Sequence, residues 1–175
     1  ASSEKIDEDH KEFNMSYQKV EARINKLISI EGKRTVDNFH RELGNILWEY
    51  CGMSRNNNGL KKAKKLIKDL RAEYWENVLV GGSDQDFNQS LERAWRVADF
   101  LEFGELMVTD ALERQESCGG HFNEKFQTGE NEALRDDKHF CHVSAWEFNG
   151  DKRKPKFHKE PLTFENVELT QRSYK

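Results

Sequence analysis

Cysteine is scarce in this chain of 175 residues: Cys51, Cys118 and Cys141 are the only three. An odd, sparse set excludes a disulfide framework and predicts free thiols in a reducing compartment. Long apolar runs are missing too. Nothing approaches the roughly 18 consecutive apolar residues that a membrane-spanning helix requires, so direct membrane insertion is excluded. Neither a Gly-x-Gly-x-x-Gly fingerprint nor a Walker loop occurs, which excludes a dinucleotide or nucleotide-phosphate cradle. An excess of positive charge is also missing: the formal net charge is −4, and no segment is basic enough for a nucleic-acid footprint. Residues 1–12 are acidic and polar, unlike a secretory signal or a transit peptide.

Apolar residues make up 35% of the chain against 34% charged. That balance suits thin amphipathic helices, each needing one apolar stripe, better than a thick parallel sheet. The stripes are present. Phe13, Tyr17, Val20, Ile24, Leu27 and Ile28 recur at helical spacing and predict a helix over 12–30, ended by Gly32. Val36, Phe39, Leu43, Ile46, Leu47 and Tyr50 predict a second over 36–50, with Gly52 expected in the left-handed conformation that stops a helix. Leu60, Ala63, Ile67, Leu70 and Tyr74 mark a third after the turn Asn56-Asn-Asn-Gly59. After the loop Gly81-Gly-Ser-Asp84, a long fourth helix is predicted over 87–114, with Leu91, Ala94, Trp95, Ala98, Leu101, Leu106 and Ala111 as its buried candidates. The lysines at 61, 62, 64, 65 and 68 read as the solvated face of the third helix.

Beyond His121 the period changes. Phe140 to Phe148 reads as a strand, Gly150 to Pro155 as a turn, and either 156–160 or 162–167 as the returning partner. The predicted fold is mainly α: an antiparallel three-helix bundle with an additional N-terminal helix and a C-terminal extended tail containing a short β-hairpin. The expected organisation is 1–31 for the leading helix, 32–122 for the bundle and 123–175 for the tail.

Several residue groups invite a chemical role. Cys118-x-x-His121 with His139-x-x-His142 offers nitrogen and sulfur ligands in two close pairs, as structural zinc sites do. His139 and His142, three apart in a predicted strand, would point to opposite faces, so polar and packing roles are expected instead and no metal is assigned. A Cys118 nucleophile with His121 as base needs a lowered thiol pKa, which a position after a helix C-terminus does not supply. Asp99, Glu102, Glu105, Asp110 and Glu113 lack the paired Glu-x-x-His motifs of a di-metal bundle and read as a solvated face. Asp37 and His40 read as a structural pair on one helix face.

One signature remains: Arg114-Gln-Glu-Ser-Cys-Gly-Gly-His121, followed by Leu134-Arg-Asp-Asp137. It resembles the C-terminal signature of succinate dehydrogenase and fumarate reductase flavoprotein subunits, Arg-x-Glu-Ser-Arg-Gly-Ala-His with an Arg-Asp-Asp downstream. The segment from Arg34 to Arg55, the helix opening Asn88-x-x-Leu91 and the ending Leu169-Thr-Gln-Arg-Ser-Tyr-Lys175 extend the resemblance, in the family's order, over most of the chain. The departure is Cys118, which stands where the family has arginine and removes up to five donors and a fixed charge. The Cys-Gly-Gly-His version resembles the bacterial quinone-coupled branch.

The resemblance implies a C-terminal helical domain whose catalytic centre lies elsewhere. In such a family the complete protein binds FAD, interconverts succinate and fumarate, and passes electrons to an iron-sulfur subunit and a quinone-reactive membrane subunit. The implied location is cytoplasmic and peripheral, on the cytoplasmic face of the inner membrane. No catalytic or cofactor-binding residue carries over, and the chain alone is expected to be inactive and to expose an apolar patch. Arg114, Glu116, Ser117, Gly119, Gly120, His121, Arg135, Asp136 and Asp137 carry over as a seam against the chain's own FAD and capping domains. Two alternatives stand beside it: a free-standing helical interaction module, stapled by zinc through Cys118 and His121, and the C-terminal domain of L-aspartate oxidase.

Overall fold

A computed structural model describes residues 7–85, 87–150 and 153–170. The predicted turn at 150–155 and the ending at 169–175 lie partly outside the described residues. Four long helices dominate: α1 (Lys11–Ser29), α2 (Val36–Cys51), α3 (Asn57–Asn77) and α4 (Gln89–Glu113). Two compact units divide the chain, one formed by Ala1–Asn45 with Ile67–Gly104, the other by Ile46–Leu66 with Glu105–Lys175. No helix among the described residues is long and apolar enough to cross a membrane.

The first unit is held by an apolar core. Phe39, Leu43, Ile67, Leu70, Tyr74, Ala98 and Leu101 are all buried, as the stripes of α2, α3 and α4 require. The Phe39 and Tyr74 rings meet edge to face with centroids 5.1 Å apart, a geometry favoured by the ring quadrupoles. The Tyr74 hydroxyl donates to the Ala94 carbonyl at 2.6 Å, so the polar tip of a fully buried ring is satisfied. Helix α4 opens as its sequence suggests: Asn88 Oδ1 accepts the Leu91 amide at 3.0 Å, an N-cap bond.

Helix α1 departs from its pattern. Of its apolar stripe only Leu27 is buried, while Phe13, Tyr17 and Val20 are exposed. Cations hold it instead: the Arg23 guanidinium lies 4.2 Å from the Trp95 ring and pairs with Asp99 at 2.5 Å, and Lys26 Nζ lies 4.2 Å from the Trp75 ring. Periodicity reports an amphipathic helix but not whether a partner covers its stripe. The helix ends at Ser29, before Gly32. A two-residue parallel pairing, β1 (Arg34–Thr35) with β3 (Val78–Leu79), follows; pairs this short leave no alternation in the sequence.

In the second unit Ile46, Cys51, Leu60, Ala63, Val108 and Ala111 are buried. Gly52 does not take the left-handed conformation expected of it. It is glycine for space, since a Cβ there would stand 2.6 Å from the Trp48 carbonyl oxygen. The turn read at 56–59 is the first turn of α3, capped by Asn56, whose Oδ1 accepts the Gly59 amide at 2.8 Å. A second short parallel pair joins β2 (Ser54–Arg55) to β4 (Phe122–Asn123). Of the lysines on α3, Lys61, Lys62, Lys65 and Lys68 are exposed and Lys64 is half-buried.

The strand predicted from Phe140 begins later. Asp137–Phe140 forms a short helix, α5, because the Asp136 side chain accepts the His139 amide and nucleates the turn. The hairpin is β5 (His142–Glu147) with β6 (Lys156–Pro161), in antiparallel register pairing Ala145 with His158. Trp146 fastens it, donating from Nε1 to Asp110 Oδ1 at 2.7 Å.

Candidate functional site

The chain's polar interior lies where α4 stops. Gln115 Nε2 donates to the Leu112 carbonyl at 2.6 Å, and Arg114 N–H to Asp110, so the orphan carbonyls of the last turn are partly satisfied. The backbone then folds back on itself. Cys118 and His121 exchange both amide bonds, at 2.8 and 3.0 Å. Gly119 turns the corner at φ +58, a left-handed value that glycine adopts without steric cost.

Glu116 and Ser117 point inward and are almost completely buried. Glu116 Oε1 accepts from Arg114 Nη1 at 2.6 Å, and Oε2 accepts the Asp136 amide at 2.8 Å. One carboxylate thus ties the first half of the signature to its downstream Arg-Asp-Asp. Arg114 Nη2 reaches the His142 carbonyl at 3.2 Å. The Ser117 hydroxyl serves Asn123 twice, accepting its amide at 2.8 Å and donating to its carbonyl at 3.2 Å. Asn123, fully buried, donates from Nδ2 to Asn57 Oδ1 at 3.2 Å and accepts the Lys125 amide at 3.1 Å.

His121 is enclosed on both sides. Its Nδ1 lies 3.0 Å from Arg55 Nη1 and its Nε2 lies 2.9 Å from the Arg114 carbonyl oxygen. Burial pushes its pKa below the ordinary imidazole value; the Arg55 and Arg114 charges add to that, against the bond to the Arg114 carbonyl and the Asp110 charge. Downstream, Asp137 Oδ1 holds Arg135 at 3.0 and 2.5 Å, and Arg135 Nη1 donates to the Thr170 carbonyl at 2.9 Å. Asp136 caps α5, and its bond to the His139 ring keeps its carboxyl below the usual range.

The nine signature residues are therefore brought into one region, but not as a uniform outward seam. Glu116, Ser117 and His121 are buried and engaged within the chain, whereas Gly119, Gly120 and Asp137 are exposed. Arg55, Asn57 and Asn123 complete the network and were not singled out in the sequence. Arg55 had a signal, since it closes the segment from Arg34 that shares the family's order. Asn57 and Asn123 had none, because burial of an amide is decided by what packs over it.

The zinc arrangement is not formed. The His121 ring nitrogens are taken by Arg55 and Arg114, and His139 Nδ1 contacts Asp136 at 2.8 Å. His142 begins β5 and lies against the Phe140 and Phe157 rings. His139 and His142 are thus not two faces of one strand. Among the described residues no three His, Cys, Asp or Glu side chains are grouped to hold a metal. Nor do Cys118 and His121 form a nucleophile and base: they meet through backbone, with both imidazole nitrogens already bonded. Asp37 and His40 likewise face separate neighbours, Arg93 at 3.9 Å and the Phe100 ring at 5.8 Å. Asp99 and Asp110 are not simply solvated, being bonded to Arg23 and Trp146. What this polar network does is hold three backbone segments together.

Comparison with known proteins places that network in a family. An uncharacterized FAD-dependent oxidoreductase of Methanocaldococcus jannaschii is 29% identical over 126 residues, 71% of this chain and 22% of its own length. The chloroplastic L-aspartate oxidase of Oryza sativa subsp. japonica is 38% identical over 85 residues, 49% of this chain and 13% of its length. The chain thus spans about a fifth or less of the length of these curated relatives. In fold it is similar to the E. coli quinol fumarate reductase, with TM-score 0.79 at 19% identity, over 95% of this chain and 27% of that one. The family model described as Fumarate reductase flavoprotein C-term matches residues 40–174, from within α2 through the signature turn and the hairpin, and the chain belongs to that family of flavoprotein C-terminal domains.

Proposed function

We propose that this chain is the helical C-terminal domain of a flavoprotein subunit that interconverts succinate and fumarate, and that its own role is structural. The observation that carries this is the family match over 40–174, which includes the whole buried network from Arg114 to Asp137. The signature network offers FAD no open cradle. The one glycine-rich turn near the signature closes on its own backbone, and the buried polar side chains are spent on one another. FAD and the reacting dicarboxylate belong, in this proposal, to the remainder of the polypeptide. Electrons then pass to an iron-sulfur subunit and a quinone-reactive membrane subunit, with the protein peripheral on the cytoplasmic face of the membrane.

The domain's contribution is a rigid docking surface. Buried Glu116, Ser117 and His121 fix the turn from behind, leaving Gly119, Gly120 and Asp137 at the surface to approach the FAD domain. Glycines permit close backbone contact there. Trp48 and Met53, 85% and 92% exposed, are among the large apolar groups left for such docking to cover. Cys118 stands where the family has arginine, and the guanidinium that contacts His121 in this chain is that of Arg55.

The experiment is to extend the reading frame upstream of Ala1, express the full polypeptide, and assay it beside the 175-residue chain. The expected result is bound FAD and succinate-dependent dye reduction in the former and neither in the latter. A full polypeptide without flavin, or a reading frame that starts at this chain, would overturn the proposal. L-aspartate oxidation without succinate activity would move the assignment to the aspartate oxidases, a second reading favoured by the 38% identity over half of the chain.

A further inference from the structure

A guanidinium offers only donors and keeps its protons at any ordinary pH. The nitrogen facing Arg55 Nη1 at 3.0 Å, His121 Nδ1, is therefore an acceptor. The imidazole proton must lie on Nε2, which donates to the Arg114 carbonyl at 2.9 Å. Both bonds exist together only for a neutral ring in that tautomer. Adding a proton to Nδ1 sets donor against donor and cation against cation.

Arg55 cannot easily move away. Its Nε donates to the Gly52 carbonyl at 3.0 Å, its backbone carbonyl accepts the Glu124 amide at 2.8 Å, and β2 pairs with β4 through Arg55 and Asn123. His121 thus stands beside the point at which the segment after α2 is joined to the turn after α4. The charged and titratable groups around it come from three places. Arg55 lies on the segment after α2, near the buried Cys51 thiol that ends the helix, Arg114 with its partner Glu116 lies in the turn, and Asp110 on α4 is the carboxylate that favours the charged ring.

We propose that the Arg55–His121–Arg114 contact is a pH-sensitive pin, closed while His121 is neutral and opened by acidification, which releases β4 from β2. Burial and the two arginine charges depress the folded-state pKa below the ordinary imidazole value of 6.5. The pin's contribution is therefore complete above that value. It is lost progressively as pH falls from there to the depressed folded value.

Two measurements on the full chain test it. Nitrogen-15 NMR of the His121 ring reports the tautomer directly, and amide exchange at Glu124, corrected for the intrinsic rate, reports the junction from about pH 8 to about pH 5. We expect the Nε2–H tautomer, and protection at Glu124 that falls with acid, by up to about tenfold per pH unit within the window. H121Q keeps an acceptor and a donor without a titrating proton and should lack that fall. H142Q removes the other buried imidazole with a depressed pKa and should retain it. R55Q should raise the His121 titration toward its ordinary value. An Nδ1–H tautomer in the unaltered chain, protection indifferent to acid, or the same fall in H121Q would each overturn the proposal.

Discussion

The two units of this chain bury different chemistry. The interior of the first is built from Leu27, Val36, Phe39, Leu43, Ile67, Leu70, Val97 and Leu101, with the Tyr74 hydroxyl bonded to backbone among them. The second buries Val108, Ala111 and Leu60 as well, but beside them lie Glu116, Ser117, His121, Asn123 and His142. An apolar core gains stability roughly in proportion to the surface removed from water, and it tolerates substitutions that preserve volume. A buried polar network holds only while every member is paired, because each orphaned donor or acceptor bears its full desolvation penalty. The first unit is accordingly a scaffold, and the second a set of backbone segments locked in one arrangement.

The contrast is sharpest under substitution. Phe39→Ala should be the most damaging single change, destabilising by about 3–5 kcal/mol through lost burial and the cavity left against Tyr74. Urea denaturation of the chain reads this directly, and a loss below about 1 kcal/mol would mean that the first unit is not packed as described. Glu116→Gln should cost about 2 kcal/mol despite nearly identical volume. Arg114 and the Asp136 amide donate to different oxygens of the carboxylate, so in the amide one of them faces an NH2 donor, and bonds to a charged acceptor are the stronger kind. The distinguishing readout is local: amide protection should drop at Asp136 and leave Tyr74 and its neighbours unchanged. Uniform loss across both units would erase the distinction between them. Trp48→Ser should shift the stability of the 175-residue chain by no more than about 0.5 kcal/mol, since the side chain touches solvent rather than core. The same change in the full polypeptide should weaken flavin retention, and equal flavin content would remove Trp48 from the docking surface.

How far each feature was legible follows from the same physics. The stripe Leu60, Ala63, Ile67, Leu70 and Tyr74 is buried at every position, because α3 packs along its whole length and periodicity registers just that. The stripe on α1 looks equally good in sequence and stays largely exposed, since Arg23 and Lys26 over Trp95 and Trp75 hold the helix instead. Val97 and Val108, absent from the predicted core of α4, are buried there. The hairpin was visible in its aromatic and β-branched residues, whereas the parallel pairs β1–β3 and β2–β4 were too short to leave a pattern. Within the signature, the residue types were plain and their orientation was not.

The sequence by itself determined the helical class, the positions of α2, α3 and α4, the hairpin, and the family, because spacing, capping and motif are properties of neighbours along the chain. Only the tertiary structure decided that Glu116, Ser117 and His121 face inward, that Arg55 contacts the signature histidine, and that the four candidate zinc ligands are not gathered at one point. Those outcomes depend on which distant segments close over a polar side chain, and desolvation acts on such a group only once they have closed.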